Sequence, residues 1–379
     1  MLGAICTMTS QVPAVRGDSS LPLLFDVNNA YQAVADQLNF GYRIPGYNAS
    51  RNCANYFKTQ LVPYTKVTDY NVTLHGVLCQ DVVGMLNPLD DQNIVILAAH
   101  YDSRATTNDV PSQPCPGANN GGSGCAVLLE LARDLYQIRD KLNTQIWFVF
   151  FDAEDQGQDQ YGVGLAGWNW AEGSQAFANN LPTFLGSVPV SAVKLMVLLD
   201  MVGGISLQFT KDSSSNSKAE NIFYQVGQNL GYTAAFPPNP YYFDGLLDDH
   251  VWFAQMGIPS VDLIIDFTDS SAPWHFHHTT GDTLAEISVD SLATTGRTVE
   301  SFFHEYYVNA TEGGGGMTPT WDQSTGNPFT ESSATLISLL IGACGAAGII
   351  LTYKVVISSP KKPEILNEGE NNLTEGSRP

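Results

Sequence analysis

The chain has 379 residues, of which 44% are hydrophobic, so it is long enough to bury the core of one large domain. Its formal net charge at pH 7 is −21, with 38 acidic residues against 17 basic ones. A surface this negative repels nucleic acids and anionic lipids, which excludes a nucleic acid as the expected partner.

Helices and short apolar runs alternate along the chain. Helices are expected from residue 30 to 40 and from 49 to 61, and a β-hairpin follows between 67 and 85. A continuous apolar run at 94–99 predicts a buried strand, and further buried strands are expected at 146–151, 195–199 and 261–265. Further helices are expected at 125–138, 219–230, 249–255 and 289–307. Buried strands separated by helices predict an α/β fold with helices on both faces of the sheet.

A histidine or a carboxylate follows each of the four predicted buried strands. In chain order they are His100 and Asp102, then Asp152, Glu154 and Asp155, then Asp200, and lastly His277 and His278 beyond a loop. Functional sites in such sheets form beyond the carboxyl ends of the strands. Mixed imidazole and carboxylate ligands suit a catalytic zinc ion, which keeps one position open for water. The pattern therefore predicts a zinc centre at this edge of the sheet.

Six segments give the chain a specific resemblance. They read IVILAAHYDSR, PGANNGGSG, WFVFFDAEDQG, VLLDMVG, DDHVWF followed by GIP, and HTTGDT. In order and spacing they resemble peptidase family M28, which also includes the glutaminyl cyclases, and FGYRIPG looks like a segment of the cyclase branch. The resemblance covers about residues 26–307 and implies a mixed, mostly parallel sheet of the zinc exopeptidase type.

The resemblance also implies a set of metal ligands. His100 and Asp200 would bind one zinc ion, and Asp155 and His278 would bind the other. The residue at position 120 would bridge the two ions, and here it is Asn120.

Three further acidic residues match family positions with other roles. Glu154 would be the general base, which takes a proton from the attacking water and passes it to the leaving amine. Asp102 would orient His100 by a hydrogen bond. Asp249 would lie near the substrate, and its alternative role is the N-cap of a helix.

Two of these positions depart from the family pattern. The family usually has aspartate where this chain has Asn120, and glutamate is more usual at Asp155. An amide is neutral and its nitrogen donates hydrogen bonds, so the second metal ion should be held poorly. Three outcomes stay open: a centre that works with one zinc, a relative without activity, or deamidation of Asn120 before Gly121.

The activity that the resemblance implies is that of an aminopeptidase. Such an enzyme would remove the N-terminal residues of extracellular peptides with metal-activated water, using one or two zinc ions. A glutaminyl cyclase with a single zinc ion is one alternative. A non-catalytic ectodomain of the family is the other, and Asn120 is its main support.

The C-terminal part of the chain predicts a membrane anchor. Residues 334–353 carry no charge and would span about 30 Å as a helix. Basic residues from Lys354 onward place the C-terminus in the cytoplasm and the larger domain outside the cell. The small residues of this helix would permit a homo-oligomer.

The domain boundaries follow from these assignments. An N-terminal segment at 1–25, interpreted as a signal remnant, precedes a catalytic domain at 26–311. A Gly/Pro-rich stalk at 312–332, a transmembrane helix at 333–357 and a cytoplasmic tail at 358–379 come after it. The expected location is the cell surface.

An extracellular domain would form disulfides and carry glycans. Cys115–Cys125 and Cys53–Cys79 are the expected disulfides, with two buried free thiols as the alternative for the first pair. Four N-x-S/T sequons predict a glycoprotein; they begin at Asn48, Asn71, Asn309 and Asn372.

Overall fold

The structure is a computed structural model, and it describes residues 19–321 except 89–92, 160 and 269–271. Its strands are β1 (Lys66–Leu74), β2 (Val77–Leu86), β3 (Ile94–His100), β4 (Gln145–Phe151), β5 (Val193–Asp200), β6 (Lys211–Asp212), β7 (Tyr242–Phe243) and β8 (Ser260–Ile264). Its α-helices are α1 (Val27–Asn39), α2 (Asn48–Leu61), α3 (Ser123–Gln137), α4 (Glu172–Leu185), α5 (Ser217–Asn229), α6 (His250–Gln255) and α7 (Val289–Tyr306).

One six-stranded sheet has the strand order β1-β2-β4-β3-β5-β8. The hairpin β1–β2 is antiparallel and β2 pairs antiparallel with β4, whereas β4, β3, β5 and β8 run parallel to one another. Strands β6 and β7 form a separate short pair. The predicted mixed, mostly parallel sheet of an α/β fold is therefore confirmed.

Helices cover both faces of the sheet. Alternate residues of β3 point to opposite faces: Val95 and Leu97 pack in a core with α1, α2, α3, α5 and α7, while Ile94 and Ile96 pack against α4 and α6. Every residue of β3 and β4 is buried. This two-sided burial explains why the strands are continuously apolar in sequence.

Gly124 sets how closely α3 lies on the sheet. A side-chain carbon at this position would overlap the carbonyl oxygen of Leu199 on β5, so only glycine allows the observed approach. The loop that leads into α3 is thereby brought to the carboxyl ends of β3 and β5.

The predicted disulfides are wrong, and the free-thiol alternative is confirmed. The cysteines in the described part of the chain are free and buried; they are Cys53, Cys79, Cys115 and Cys125. The thiol of Cys125 donates to the carbonyl oxygen of His100 (3.1 Å), while that of Cys115 donates to the carbonyl oxygen of Thr279 (3.2 Å). The other two lie in separate hydrophobic clusters. Nearness in sequence fails here because the two thiols of each pair face different elements.

The predicted membrane helix, the tail and most of the predicted stalk lie outside the described residues. Among the helices that are described, none is both long and apolar enough to cross a membrane. The sequons at Asn48, Asn71 and Asn309 are exposed, whereas Asn372 lies outside the described range.

Asp134 is a buried carboxylate on α3. Its Oδ1 lies 2.8 Å from Nη2 of Arg133, and its side chain is fully buried. Burial raises the pKa of Asp134 to about 8; the nearby Glu130 and Glu300 raise it further, and Arg133 opposes them. The folded state therefore favours the protonated carboxyl group.

We expect Asp134→Asn to stabilise the protein increasingly as the pH rises. The stability that the protonated carboxyl contributes is fully present below its unfolded pKa of about 3.9. It is lost as the pH rises through about 8, the pKa in the folded state. Thermal unfolding should show the variant gaining about 3 °C or more over the unmodified chain at pH 9 relative to pH 5. Asp140→Asn, at a side chain that is 88% exposed, is the control and should show no such gain. Parallel pH dependence of Asp134→Asn and the unmodified chain would contradict the prediction.

Candidate metal centre

The residues predicted as metal ligands converge at the carboxyl edge of the parallel strands. His100 ends β3 and Asp200 ends β5, because both strands run toward this edge. Asp155 lies in the loop after β4, His278 in the loop after β8, and Asn120 in the loop before α3. Hydrogen bonds link four of the five side chains, and the ion-pair contact between His278 and Asp155 adds the fifth.

His100 is the centre of one half of the site. Its Nε2 lies 2.9 Å from Oδ1 of Asn120 and 3.2 Å from Oδ1 of Asp200. Its Nδ1 lies 3.2 Å from Oδ1 of Asp102, which is the contact expected of an orienting carboxylate. Burial opposes the charged form of His100, but the hydrogen bonds with Asp102 and Asp200 outweigh it and raise its pKa well above the usual range.

Asp155 is the centre of the other half. Its Oδ1 lies 2.8 Å from Nε2 of His278, and its Oδ2 accepts a hydrogen bond from Nδ2 of Asn120 (2.9 Å). Burial raises the pKa of Asp155 to about 6, and the guanidinium of Arg104 opposes this shift. The Asn120 amide thus joins the two halves, with its oxygen toward His100 and its nitrogen toward Asp155.

Asp282 holds the loop that carries Asn120, a role that the sequence did not indicate. Its carboxylate accepts hydrogen bonds from the backbone N–H groups of Asn119 (2.8 Å) and Asn120 (3.0 Å). The next residue, Gly121, has a φ of +88°, and a side-chain carbon there would lie 2.5 Å from the carbonyl oxygen of Asp102. The one signal in the sequence was that Asp282 belongs to the HTTGDT segment.

Arg104 and Trp170 also belong to the site, and sequence reasoning missed both. The Arg104 side chain is fully buried, and its guanidinium carbon lies 4.5 Å from the centre of the Trp170 ring. The Trp170 ring is stacked on the imidazole of His278, with 5.4 Å between centroids and 5° between planes. The residue types alone carry no signal for this contact, because the three lie far apart in sequence.

A cavity of about 220 Å³ opens beside the two halves. One wall is acidic, with Glu154, Asp200 and Asp248 among its residues. Another is apolar; it includes Met201, Leu246, Leu247, Ile264 and Phe267. Burial raises the pKa of Glu154 well above its usual range. The cavity therefore combines proton-carrying groups with space for an apolar side chain.

Asp249 differs from the expectation in its position. The cavity is lined by its neighbour Asp248, while Asp249 is fully buried at the start of α6. Asp249 occupies the N-cap position, but its side chain makes no capping hydrogen bond. Burial raises its pKa to about 7.

The donor atoms fit a zinc ion in kind, although the described residues contain no group of three or more His, Cys, Asp or Glu side chains that could hold a metal ion. Each half offers one imidazole nitrogen and one carboxylate oxygen. The amide oxygen of Asn120 is a further donor atom, next to His100. Two ligands of a tetrahedral zinc ion at 2.0–2.1 Å lie about 3.3 Å apart. The separations around His100 Nε2, 2.9 and 3.2 Å, are close to that value.

Two solved structures share this fold. A zinc-dependent exopeptidase from Parabacteroides distasonis superimposes with a TM-score of 0.67 at 29% identity, covering 74% of this chain and 99% of that one. A glutaminyl cyclase from Tannerella forsythia superimposes with a TM-score of 0.66 at 30% identity, again covering 74% and 99%. Proteins named for two different activities, exopeptidase and glutaminyl cyclase, thus share this fold.

Sequence relatives divide in the same way. A bovine glutaminyl-peptide cyclotransferase-like protein is 25% identical over 70% of this chain and 72% of its own length. Aminopeptidase YwaD from Bacillus subtilis (strain 168) is 26% identical over 60% of this chain and 44% of its own length. The family model for peptidase family M28 matches residues 81–303. On this match, together with the fold and the arrangement of the site, the chain belongs to peptidase family M28.

Proposed function

We propose that the chain is a zinc-dependent aminopeptidase that removes the N-terminal residues of peptides. The observation that carries this proposal is the acidic wall of the cavity, formed by Glu154, Asp200 and Asp248 beside the candidate ligands. The free ammonium group of a peptide N-terminus is a cation that donates hydrogen bonds, and its arrival would favour the ionised form of these carboxyl groups. The apolar wall at Met201, Ile264 and Phe267 would contact the side chain of the first residue.

Glu154 is the residue proposed to carry the proton. Its side chain lines the cavity, and its Oε2 lies 3.9 Å from Nδ1 of His100. It would take a proton from the attacking water and give it to the leaving amine. A bound zinc ion would supply polarisation of the scissile carbonyl and a lower pKa for water. His100, Asp200 and Asn120 on one side, and Asp155 and His278 on the other, are the residues that would hold zinc.

Glutaminyl cyclisation is the second candidate function. It is supported by the names of two similar proteins, the bovine glutaminyl-peptide cyclotransferase-like protein and the glutaminyl cyclase from Tannerella forsythia. In that reaction the α-amine of an N-terminal glutamine attacks the side-chain amide and ammonia leaves, with Glu154 moving the proton. The attacking amine must be unprotonated, whereas the acidic wall favours a charged ammonium group. We therefore prefer peptide hydrolysis to cyclisation as the function of this site.

The cellular setting belongs to the same proposal. The uncharged segment at 334–353 and the lysines that follow it support a single-pass protein with its catalytic domain outside the cell. The exposed sequons support glycosylation of that domain. The small residues of the predicted membrane helix support self-association.

The full chain should hydrolyse aminoacyl substrates with an apolar first residue, and Glu154→Gln should lower kcat by about 10² to 10⁴. The amide keeps the shape of the side chain but removes the proton carrier. Initial rates on aminoacyl and N-terminal glutaminyl peptides test this in parallel. Glu312→Gln, at an exposed position outside the cavity, is the matched control and should leave both rates unchanged.

The two substrates separate the alternatives. Cyclisation without aminoacyl hydrolysis would favour the second function. A zinc-loaded chain that turns over neither substrate would contradict both and leave the non-catalytic member of the family.

Removal of zinc should lower both the activity and the thermal stability. Because the ligands come from five separate loops and strand ends, the metal binds the folded state, and binding at 100 times Kd stabilises it by about 2.7 kcal/mol. Unfolding curves before and after dialysis against a chelator measure the loss, and zinc should restore the midpoint whereas magnesium should not. An unchanged midpoint would count against the metal centre.

A further inference from the structure

We propose that the first zinc ion binds the half of the centre formed by His100, Asp200 and the amide oxygen of Asn120, and that Arg104 keeps the other half free of metal. This inference rests on the zinc dependence of the proposed function. It concerns which half is filled and what excludes the second ion.

The Asn120 amide gives the two halves different chemistry. An ionised carboxylate only accepts hydrogen bonds, so the contact of 2.9 Å with Oδ2 of Asp155 fixes the amide nitrogen on that side. The amide oxygen then faces His100, where it lies 2.9 Å from Nε2. An amide oxygen is a metal ligand and an amide nitrogen is not. Only the His100 half therefore gains a third donor from Asn120.

Arg104 places a permanent positive charge at the other half. Its Nη1 lies 3.5 Å from Oδ1 of Asp155, the same oxygen that contacts His278. This carboxylate thus already has a guanidinium as its partner. A divalent cation bound between Asp155 and His278 would meet this buried charge at close range.

Arg104 is also held so that it cannot turn away. Nη1 donates to the carbonyl oxygen of Asp155 (2.9 Å), and Nη2 donates to those of Gly157 (3.0 Å) and Val163 (3.0 Å). Its guanidinium packs on the Trp170 ring, and the side chain is fully buried. The charge therefore belongs to the fold rather than to a mobile surface group.

The charged neighbours of His100, in contrast, are carboxylates. Asp102, Glu154 and Asp200 have oxygens 3.2, 3.9 and 3.2 Å from its ring nitrogens. A zinc ion at this half would lie among carboxyl groups, whereas at the Asp155 half it would lie beside a guanidinium. Charge and donor chemistry thus select the same half.

The position of the metal can be measured without substrate. Anomalous scattering at the zinc edge, from crystals of the full chain grown with zinc, should give one peak beside His100 and Asp200. Elemental analysis of the full chain should give one zinc per chain, which His100→Ala should lose and His278→Ala should retain. A peak between Asp155 and His278, two zinc ions per chain, or none would overturn the proposal.

A matched pair of variants tests whether Arg104 excludes the second zinc ion. Arg104→Gln removes the charge and keeps hydrogen-bond donors, so zinc titration monitored by a competing chelator should show a second ion binding at least tenfold more tightly than in the unmodified chain. Arg104→Lys keeps the charge and should behave as the unmodified chain does. Equal second-ion affinity in the two variants would overturn the role of Arg104. A zinc peak beside His100 in a chain without turnover would contradict only the aminopeptidase function.

Discussion

The carboxylate of Asp102 is the contact on which the rest of the centre depends. One oxygen lies 3.2 Å from Nδ1 of His100 and accepts the backbone N–H of Glu154; the other accepts the backbone N–H of Asp155 and the side-chain amide of Gln156. Burial alone would raise its pKa, but the hydrogen bonds with His100 and Gln156 lower it. One ionised group thereby ties the end of β3 to the loop that follows β4, so that the proposed ligand His100 and the proposed proton carrier Glu154 share a single anchor.

Acidic groups continue behind the cavity wall. His250 on α6 lies with Nε2 3.1 Å from Oδ2 of Asp212 and Nδ1 3.8 Å from Oδ2 of Asp262. Burial raises the pKa of Asp262, and Asp248 and Asp200 raise it further. The acidity of the cavity is thus a property of several packed elements.

The sheet could be predicted because burial on two faces leaves a direct trace in sequence. The runs that became β3, β4, β5 and β8 are short and mostly apolar, and polar residues follow at the same edge of the sheet. Helix α4 was not predicted. It begins after Ala171, whose φ is +54°, and it contains Pro182, so its local signals resemble a loop while its packing against the sheet makes it helical.

Only some residues of the candidate metal centre could be predicted from the sequence, for a related reason. His100 and Asp200 end strands and Glu154 lies three residues beyond one, so their convergence follows from topology. Arg104 and Trp170 act through contacts between loops whose conformations no local pattern specifies, and the direction of the Asn120 amide depends on Asp155. The thiol partners of Cys115 and Cys125 were missed because side-chain direction, not spacing, decides a disulfide.

The contact between Gly124 and Leu199 has an evolutionary consequence. Because it fixes α3 on the sheet, the backbone of the preceding loop has little freedom, and residue 120 keeps its place whatever its side chain. Exchange of the amide for a carboxylate there needs a single nucleotide change, and the new carboxylate would replace a donor that now lies 2.9 Å from Oδ2 of Asp155. The donor atoms at position 120 are therefore a character that a lineage could change in one step, whereas filling the second half would also require a change at Arg104, beside Asp155.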